Sequence, residues 1–417
     1  MKIYISGISG TGMGPLALMA KNAGFEVVGS DLAAGAIYDE LIENNIEVKI
    51  GPQDGEFLKS QIDGVDWFVH TSALPADHPE LTLAREAGIK VTKRDDFTAF
   101  LVEKLGLKMV TVAGTHGKTT TTSMIVWGAL KSKLPVAYIV GTTLGFAPSG
   151  AYHPGDKYFI YEADEYDRNF LKYHPWLSVI PFVSYDHPDI YPTQEDYLAA
   201  FEQFEKQSET VVKKSEMFTP DQFTLAGEAR RIDASLATEA VHRMTMQEFE
   251  DKHILVNYTP APLISAMNEF PGVGRRFERI ADGAYSDYAH HPEEIAATIE
   301  VAKEEAKLRG LKGVVVAYQP HQNTRQHEVW PGYKDAFIGA DKVFWLPTYL
   351  TRENPDLEVL TPEKLISGLS NAEIAEPAEA DDALAEKLKK YQADGYLVLL
   401  LTAGPADTWF RKIFNLL

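Results

Sequence analysis

The chain has 417 residues, of which 45% are hydrophobic, so it is long enough to form two or three domains with separate cores. Its formal net charge of −20 argues against a nucleic-acid-binding surface, which needs a basic face. The absence of cysteine excludes disulfides and thiolate metal sites, so a metal would need carboxylate, hydroxyl or imidazole ligands.

Residues 1 to about 106 alternate strands with helices. A strand at residues 3–6 leads into the glycine-rich turn at residues 7–14, and a second strand ends at Asp31. A glycine turn that opens a helix, followed about 20 residues later by an acid, is typical of dinucleotide-binding folds. Pro15 occupies the place of the third glycine, which disfavours a dehydrogenase. A pyrophosphate, such as that of a UDP-sugar, or a purely structural turn fits equally well.

The central stretch of the chain is predicted to bind phosphate. An apolar strand at residues 109–113 precedes Gly114-Thr115-His116-Gly117-Lys118-Thr119, and a helix is expected from Ser123. In such a strand, loop and helix, backbone N–H groups and the helix dipole point at one place, where Lys118 adds a positive charge. Thr119 or Thr120 can offer a hydroxyl to Mg²⁺. The plainer alternative is an ordinary turn with a surface lysine.

Two later strands end in groups that suit a divalent cation. The strand at residues 158–162 ends in Glu162, and the strand at residues 177–184 is followed by His187. Because the carboxyl ends of parallel strands lie along one edge of a sheet, we expect both side chains near the ion bound by Thr119. Oxygen and imidazole ligands suit Mg²⁺ or Mn²⁺. Taken alone, each group could be a solvated acid or a histidine that caps a turn.

The last part of the chain returns to an α/β pattern after the hinge-like residues 271–274. The preceding residues 206–252 are mixed and polar, and their elements cannot be placed. Polar clusters at the strand edges predict an anion-binding face. The predicted strands are residues 284–288, 314–318, 342–346 and 396–402, and the clusters are residues 274–278, 287–292 and 319–325.

These motifs resemble those of the Mur ligases, ATP-dependent amide-forming enzymes of peptidoglycan synthesis. The similarity extends over nearly the whole chain, in the family's order, and is greatest to members that join L-alanine to UDP-N-acetylmuramate. Murein-peptide ligases, which add a tripeptide instead, are near relatives. The matching runs are residues 7–14, 29–31, 71–73, 113–121, 162–165, 186–187, 274–277, 287–292 and 319–321.

The resemblance implies an α/β protein of three domains. These are a Rossmann-like UDP-sugar-binding domain (residues 1–106), a central P-loop ATPase domain with a parallel sheet (107–271) and a Rossmann-like amino-acid-binding domain (272–417). It implies that ATP, with Mg²⁺ or Mn²⁺, phosphorylates the substrate carboxylate to an acyl phosphate, which the incoming amine attacks. We expect a cytoplasmic protein without a membrane partner, since the sequence lacks a membrane-length apolar run and a signal-peptide pattern. We also expect a monomer or homodimer without a nucleic-acid partner.

The resemblance also implies roles for single residues. Lys118 would contact the β- and γ-phosphates, Arg276 a phosphate, and His321 with Arg325 the amino acid. His116 would position groups or take part in acid–base steps. Implied ATP-binding residues are Gly114, Thr115, Gly117, Lys118, Thr119, Thr120, Asn257 (adenine), Arg276 and Asp287 (ribose); implied substrate-binding residues are Gly10, Thr11, Gly12, Met13, Asp31, Thr71, Ser72, His291, His321 and Arg325. Implied metal ligands are Thr119, Glu162 and His187; implied catalytic residues are Lys118, His116, Glu162, His187, Arg276 and His321.

Some positions depart from the expected patterns. Val112 stands where the eight-residue P-loop has its first glycine, and Ile254 replaces an asparagine. Gln322 follows the Gln-Pro-His run where alanine-adding members usually carry an arginine, although Arg325 can still hold a carboxylate with two hydrogen bonds. Gln322 also fits a peptide-adding ligase. A nucleotide-binding accessory protein without ligase activity is the alternative from another class, and the intact Lys118 argues against it.

Overall fold

The computed structural model describes residues 1–71, 74–187, 190–253, 259–351, 353–354 and 356–414. It divides the chain into two compact units, the first made of residues 1–224 and 231–270 and the second of residues 225–230 and 271–417. Each unit contains mostly parallel sheet flanked by helices, which confirms the predicted α/β class. The first unit contains two sheets, so it combines the first two of the three predicted domains. The bounds of those domains therefore stay a prediction.

Within the described ranges, the first sheet of the first unit consists of five parallel strands in the order β3-β2-β1-β4-β5. Its strands are β1 (Lys2–Ser6), β2 (Glu26–Asp31), β3 (Glu47–Ile50), β4 (Trp67–His70) and β5 (Lys90–Lys93), and its helices are α1 (Gly14–Asn22), α2 (Tyr38–Glu43), α3 (Glu56–Gln61), α4 (Pro79–Glu86) and α5 (Arg94–Leu105). The strand order reverses direction between β1 and β4. The glycine-rich turn follows β1 at this switch point, where folds of this class bind ligands.

The second sheet of the first unit has the order β11-β10-β6-β9-β7-β8, and among the described residues only β8 runs antiparallel to its neighbour. Its strands are β6 (Lys108–Val112), β7 (Val136–Ile139), β8 (Gly150–Ala151), β9 (Tyr158–Glu162), β10 (Leu177–Val179) and β11 (Thr210–Val212), and its helices are α6 (Lys118–Lys131), α7 (Gln194–Gln207), α8 (Glu228–Asp251) and α9 (Ala261–Asn268). β9 and β10 flank β6, so the carboxyl ends of the three strands lie at one edge of the sheet, as predicted, next to the glycine-rich loop.

Helix α6 begins at Lys118, five residues earlier than the sequence predicted. Threonine is a poor helix former partly because its hydroxyl competes for backbone groups. Here the hydroxyls have partners that do not disturb the helix: Thr122 Oγ1 donates to the carbonyl of Lys118 at 2.8 Å, and Thr121 Oγ1 donates to Asp233 at 3.0 Å. The bond from Thr121 to Asp233, which is distant in sequence, therefore helps to offset the weak local propensity.

The sheet of the second unit has the order β12-β13-β17-β14-β15-β16, and in the part of this unit that the structure describes only β12 is antiparallel to its neighbour. Its strands are β12 (Glu278–Ala281), β13 (Ala284–Asp287), β14 (Val314–Gln319), β15 (Lys342–Trp345), β16 (Ala375–Pro377) and β17 (Leu397–Thr402), and its helices are α10 (Pro292–Leu308), α11 (Asn323–Val329), α12 (Pro362–Ile366), α13 (Asp382–Ala393) and α14 (Ala406–Ile413). The four strands predicted from sequence are present, with shifts of one residue at their ends.

The apolar cores follow the sheets. In the first unit, one cluster of buried side chains extends from Ile5 and Trp67 in the first sheet to Phe159 and Phe170 beside the second, and another, which includes Tyr4, covers the other face of the first sheet. In the second unit, separate clusters cover the two faces of the sheet. Among the residues that the structure describes, no helix combines the length and apolar character needed to cross a membrane.

Candidate active site

The residues after β6 fold into a tight loop that leaves the start of α6 open. Gly114 and Gly117 have φ angles of +147° and +82°, a region that favours glycine. A Cβ at Gly114 would lie 2.7 Å from the carbonyl oxygen of Phe182, and one at Gly117 would lie 2.8 Å from Asp233 Oδ1. Within the described residues, no side chain caps the first turn of α6, so its unpaired N–H groups can face an anion. The loop fits the phosphates of a nucleotide such as ATP.

Lys118, the first residue of α6, is folded back onto this loop. Its Nζ donates to the carbonyl oxygens of Gly114 at 2.6 Å and Thr115 at 3.3 Å. It also forms a salt bridge of 2.8 Å with Glu165, which follows β9 and is 1% exposed. A phosphate that approaches Lys118 therefore competes with a buried carboxylate for the same ammonium group.

Thr119 and Glu162 form a pair of oxygen ligands that suits a divalent cation. Thr119 Oγ1 lies 3.1 and 3.0 Å from the two carboxylate oxygens of Glu162. In the described part of the chain, no group of three or more His, Asp or Glu residues is arranged to hold a metal. Mg²⁺, however, is usually held by one or two protein oxygens together with water and substrate phosphates. Thr119 and Glu162 fit such a shared Mg²⁺ site beside the loop.

His187, the third predicted metal ligand, lies against Glu165. Its Nε2 is 3.6 Å from Glu165 Oε1 and 3.6 Å from Asp186 Oδ2. The nearby carboxylate of Glu165 raises the pKa of His187 above its usual value, although burial opposes this. Burial alone would raise the pKa of Glu165, but His187 and Lys118 outweigh it and the pKa is lowered. The structure thus joins His187 to Lys118 through Glu165, and the metal-binding role of His187 stays a prediction.

The other predicted loop residues differ in their surroundings. Thr115 Oγ1 donates to the carbonyl of Ser184 at 2.7 Å, so this hydroxyl fastens the loop to the segment after β10. His116 is exposed and stacks on Phe182, with 6.0 Å between the ring centroids. Thr120 is partly buried in the first turn of α6. The positions of His116 and Thr120 leave both accessible to a ligand on the loop.

A second candidate site lies at the glycine-rich turn after β1. The backbone N–H of Ser9 donates to Asp31 Oδ2 at 2.9 Å, so Asp31 at the end of β2 fixes the turn. The Met13 side chain is 3% exposed and belongs to the core, and its backbone N–H donates to the carbonyl of Gly10 at 3.1 Å, so its contact with a substrate stays a prediction.

Thr71, after β4, approaches the same turn. A Cβ at Gly7 would lie 3.3 Å from Thr71 Cγ2. The structure therefore brings the predicted UDP-sugar residues of β1, β2 and β4 to one edge of the first sheet. The members of this set in the turn itself are Gly10, Thr11, Gly12 and Met13.

In the second unit, the predicted arginine run forms a strained loop before β12. Arg275 and Phe277 have φ angles of +56° and +48°, which are costly for residues other than glycine. Arg275 donates to the carbonyl of Thr402 at 2.7 Å, and the guanidinium groups of Arg275 and Arg276 lie 4.6 and 5.1 Å from the ring centroid of Tyr288. The fold thus presents Arg276 on an aromatic face.

Asp287, at the end of β13, holds this loop in place. It is 8% exposed and accepts the N–H groups of Phe277 at 2.6 Å and Ala289 at 2.7 Å. Burial raises its pKa above the ordinary aspartate value. Both carboxylate oxygens are engaged by the backbone, so the contact with a ribose stays a prediction.

His321, after β14, combines burial with an unpaired nitrogen. Its ring centroid lies 6.0 Å from that of His290 and 5.7 Å from that of Tyr349. Burial, together with the charges of His290 and Arg325, lowers the pKa of His321, which favours the neutral ring. Its Nδ1 is buried and finds no hydrogen-bond partner among the described residues. Such an orphaned group is consistent with a ligand site.

Arg325 lies in the first turn of α11, and His291 directly precedes α10. The side chain of Arg325, in α11, makes no hydrogen bond or ion pair with any residue that the structure describes. His291 precedes α10, is exposed, and donates its backbone N–H to Glu294 at 3.2 Å. Gln322 has φ +62° and ψ +116°, an unfavourable backbone conformation at the start of α11.

Two predicted site residues, Ser72 and Asn257, lie outside the described residues. Two residues that sequence analysis did not assign stand close to the predicted sites: Glu165, which binds Lys118, and Arg94, which lies against the glycine-rich turn. Arg94 follows β5 directly, so the rule that strand ends carry function would have selected it. The contact of Arg94 with Gly12, which is distant in sequence, is visible only in the folded chain.

Comparisons with known proteins show which family the chain belongs to. Residues 2–104 match the family described as "Mur ligase family, catalytic domain", and residues 112–217 match "Mur ligase middle domain". A UDP-N-acetylmuramate–L-alanine ligase of Kineococcus radiotolerans is 32% identical over 403 residues, covering 86% of this chain and 84% of the relative. One of Paenarthrobacter aurescens is 30% identical, covering 98% and 95%.

Solved structures share the fold. The UDP-N-acetylmuramate–alanine ligase of Thermotoga maritima superimposes with a TM-score of 0.77 at 22% identity and covers 100% of this chain and 98% of its own. A murein peptide ligase of Psychrobacter arcticus gives a TM-score of 0.62 at 19% identity, covering 100% and 98%.

The fold and the comparisons define an α/β enzyme with a glycine-rich loop before helix α6. The chain belongs to the Mur ligase family. It is an ATP-dependent, ADP-forming ligase of peptidoglycan synthesis.

Proposed function

We propose that the enzyme joins L-alanine to the carboxylate of UDP-N-acetylmuramate, in the cytoplasm, with ATP and Mg²⁺. The observation that carries the substrate assignment is the identity of 30–32% to ligases named for these substrates, over most of both chains. An accessory protein without ligase activity would not need the arrangement of Lys118, Thr119 and Glu162 at the loop.

ATP would supply the phosphoryl group that activates the carboxylate. Phosphoryl transfer depends mainly on positioning and on neutralisation of charge, rather than on covalent participation of the protein. Lys118 and the open start of α6 supply positive charge at the loop, and Thr119 with Glu162 would hold Mg²⁺. We assign phosphate binding to these residues, with Gly114 and Gly117 keeping the backbone close.

The amino-acid end of the reaction is assigned to His321 and Arg325. The neutral, partnerless ring of His321 can accept or donate a hydrogen bond to the incoming amino acid. Arg325 has a guanidinium group without a protein partner in the described ranges, as a carboxylate-binding residue requires. Arg276 and Asp287 keep the phosphate and ribose roles implied by the family.

A peptide amine is the second candidate substrate, favoured by Gln322. Gln322 stands next to His321, where alanine-adding ligases usually carry an arginine. A positive charge that could bind the carboxylate of a free amino acid is therefore absent at this position. The unfavourable backbone of Gln322 shows that the fold constrains this position.

A panel of amine substrates tests both candidates. ADP formation would be measured with UDP-N-acetylmuramate, ATP and Mg²⁺ in the presence of L-alanine, other single amino acids, or the tripeptide L-Ala-D-Glu-diaminopimelate. Turnover that requires both UDP-N-acetylmuramate and L-alanine is the expected result. Turnover with the tripeptide but not with alanine selects the second candidate, and no turnover with any amine contradicts both.

A further inference from the structure

Arg94 is the first residue of α5, and its guanidinium group is held by the neighbouring carboxylate. Nε and Nη2 of Arg94 each lie 3.2 Å from Oδ1 of Asp95. Asp95 is 4% exposed, and the same oxygen accepts hydrogen bonds from Tyr161 at 3.0 Å and Tyr173 at 3.1 Å. The two tyrosines fix the carboxylate of Asp95, and this carboxylate in turn holds Nε and Nη2 on one side of the Arg94 guanidinium group.

The other side of the fork faces the glycine-rich turn. A Cβ at Gly12 would lie only 2.8 Å from Nη1 of Arg94, so the guanidinium group packs directly on this glycine. In the described part of the chain, Nη1 makes no hydrogen bond, and neither do the backbone N–H groups of Thr11 and Gly12. Two open backbone donors and an open guanidinium nitrogen therefore occur at one place.

We infer that Arg94 binds the diphosphate of the nucleotide sugar, together with the N–H groups of the turn. The identity of the ligand rests on the proposed function. The turn precedes α1, whose dipole favours an anion, and the guanidinium fork matches phosphate oxygens. Asp95 acts as a positioning residue, because it holds Nε and Nη2 and leaves Nη1 directed at the turn.

This assignment explains why residue 12 is a glycine. The backbone of Gly12 does not require a left-handed conformation, so alanine is compatible with its φ angle. The side chain of alanine would instead displace the end of Arg94. Gly12→Ala should therefore reproduce the binding defect of Arg94→Gln without removing the guanidinium group.

Isothermal titration calorimetry with UDP-N-acetylmuramate and UDP-N-acetylglucosamine tests the inference, because the second sugar has the same diphosphate but no carboxylate. Arg94→Gln should weaken both by about ten- to hundredfold, the range for loss of a hydrogen bond to a charged group. Gly12→Ala should weaken both similarly, and Arg94→Lys should fall between, since lysine keeps the charge but lacks the fork. Binding of Mg²⁺ with a non-hydrolysable ATP analogue should change less than about twofold.

Lys59→Gln is the matched control, since it removes one exposed positive charge from the same sheet's helices and should leave all affinities unchanged. Unchanged binding of both sugars by Arg94→Gln would overturn the inference, as would a loss confined to UDP-N-acetylmuramate, which would place Arg94 at the carboxylate. Wild-type protein that binds neither sugar would overturn it too. If the wild type binds both sugars in an Arg94-dependent manner but forms no ADP with any amine, the proposed function fails and the role of Arg94 stands.

Discussion

Lys118 has its positive charge neutralised within the protein before any nucleotide binds. Glu165 is almost fully buried and lies 2.8 Å from Lys118 Nζ, while His187 approaches the same carboxylate. A buried carboxylate that loses its partner is costly, so Glu165 depends on Lys118 for its stability. The residue proposed to bind phosphate therefore also stabilises the fold, and experiments must separate the two roles.

Lys118→Ala should lower the rate of ADP formation by at least about a hundredfold, since a preorganised charge is lost from the phosphate site. The same variant should be destabilised because Glu165 is left unpaired, and Lys118→Ala combined with Glu165→Gln should regain stability but not activity. Affinity for UDP-N-acetylmuramate should stay within about twofold, as measured by calorimetry. Lys206→Ala, an exposed lysine on α7, is the control. Loss of UDP-sugar binding in a folded double variant would contradict this division of roles.

Arg325→Ala should raise the KM for the amino acid far more than the KM for ATP. Its guanidinium group has no partner among the described residues, so its removal should cost little stability. A lost charge-assisted contact of this kind corresponds to about a ten- to hundredfold change. Steady-state kinetics with each substrate varied in turn measures the two constants. An equal rise in both would show that Arg325 does not bind the amino acid.

Among the elements, those with an apolar pattern were predictable and those stabilised by distant partners were not. The strands β6, β9, β14 and β17 are continuous apolar runs, which predict buried parallel strands. Helix α8 was missed because some of its acidic residues are buried, and partners distant in sequence make this possible. Asp233 accepts from Thr121, and Glu248 pairs with Lys157.

The candidate site shows the same limit. The positions of the glycine-rich loop, Glu162 and Asp31 at sheet edges were predictable, because a glycine-rich loop and strand ends follow local rules. The bond between Lys118 and Glu165 connects residues 47 positions apart, and Asp95 meets Tyr161 only in the folded chain. Local patterns can indicate which residues reach a sheet edge, but they do not indicate which of them pair.

Strand β8 packs closely on helix α1, which predicts a large effect of a small substitution. A Cβ at Gly150 would lie 2.1 Å from the backbone carbonyl oxygen of Pro15, an atom that cannot move aside as a flexible side chain can. Gly150→Ala should lower the free energy of unfolding by about 1–3 kcal/mol, the usual range for overpacking. Gly145→Ala, where nothing lies within 4 Å of the added Cβ, should change it little. Urea denaturation of the two variants measures the difference, and equal stabilities would contradict the close approach.

At the level of the whole molecule, the two sheets of the first unit are joined by polar as well as apolar contacts. Asp95 in α5 accepts from Tyr161 in β9, and Glu40 in α2 accepts from the N–H and hydroxyl groups of Ser149 at 2.8 and 2.9 Å. These bonds accompany the shared apolar cluster. We therefore expect the two sheets to unfold together, even though family comparison counts them as separate domains.

Hydrogen exchange with and without UDP-N-acetylmuramate tests this cooperativity. A ligand at about 100 times its Kd stabilises the unit that binds it by about 2.7 kcal/mol, which slows exchange through unfolding of that unit about hundredfold. If the two sheets unfold as one, the slowest amides of β6 and β9 should be protected as strongly as those of β1 and β4. Amides of β14 and β17, in the second unit, serve as the internal reference and should not change. Protection restricted to residues 1–106 would instead show that the first sheet unfolds independently and that the contacts of Asp95 and Glu40 do not couple it to the second.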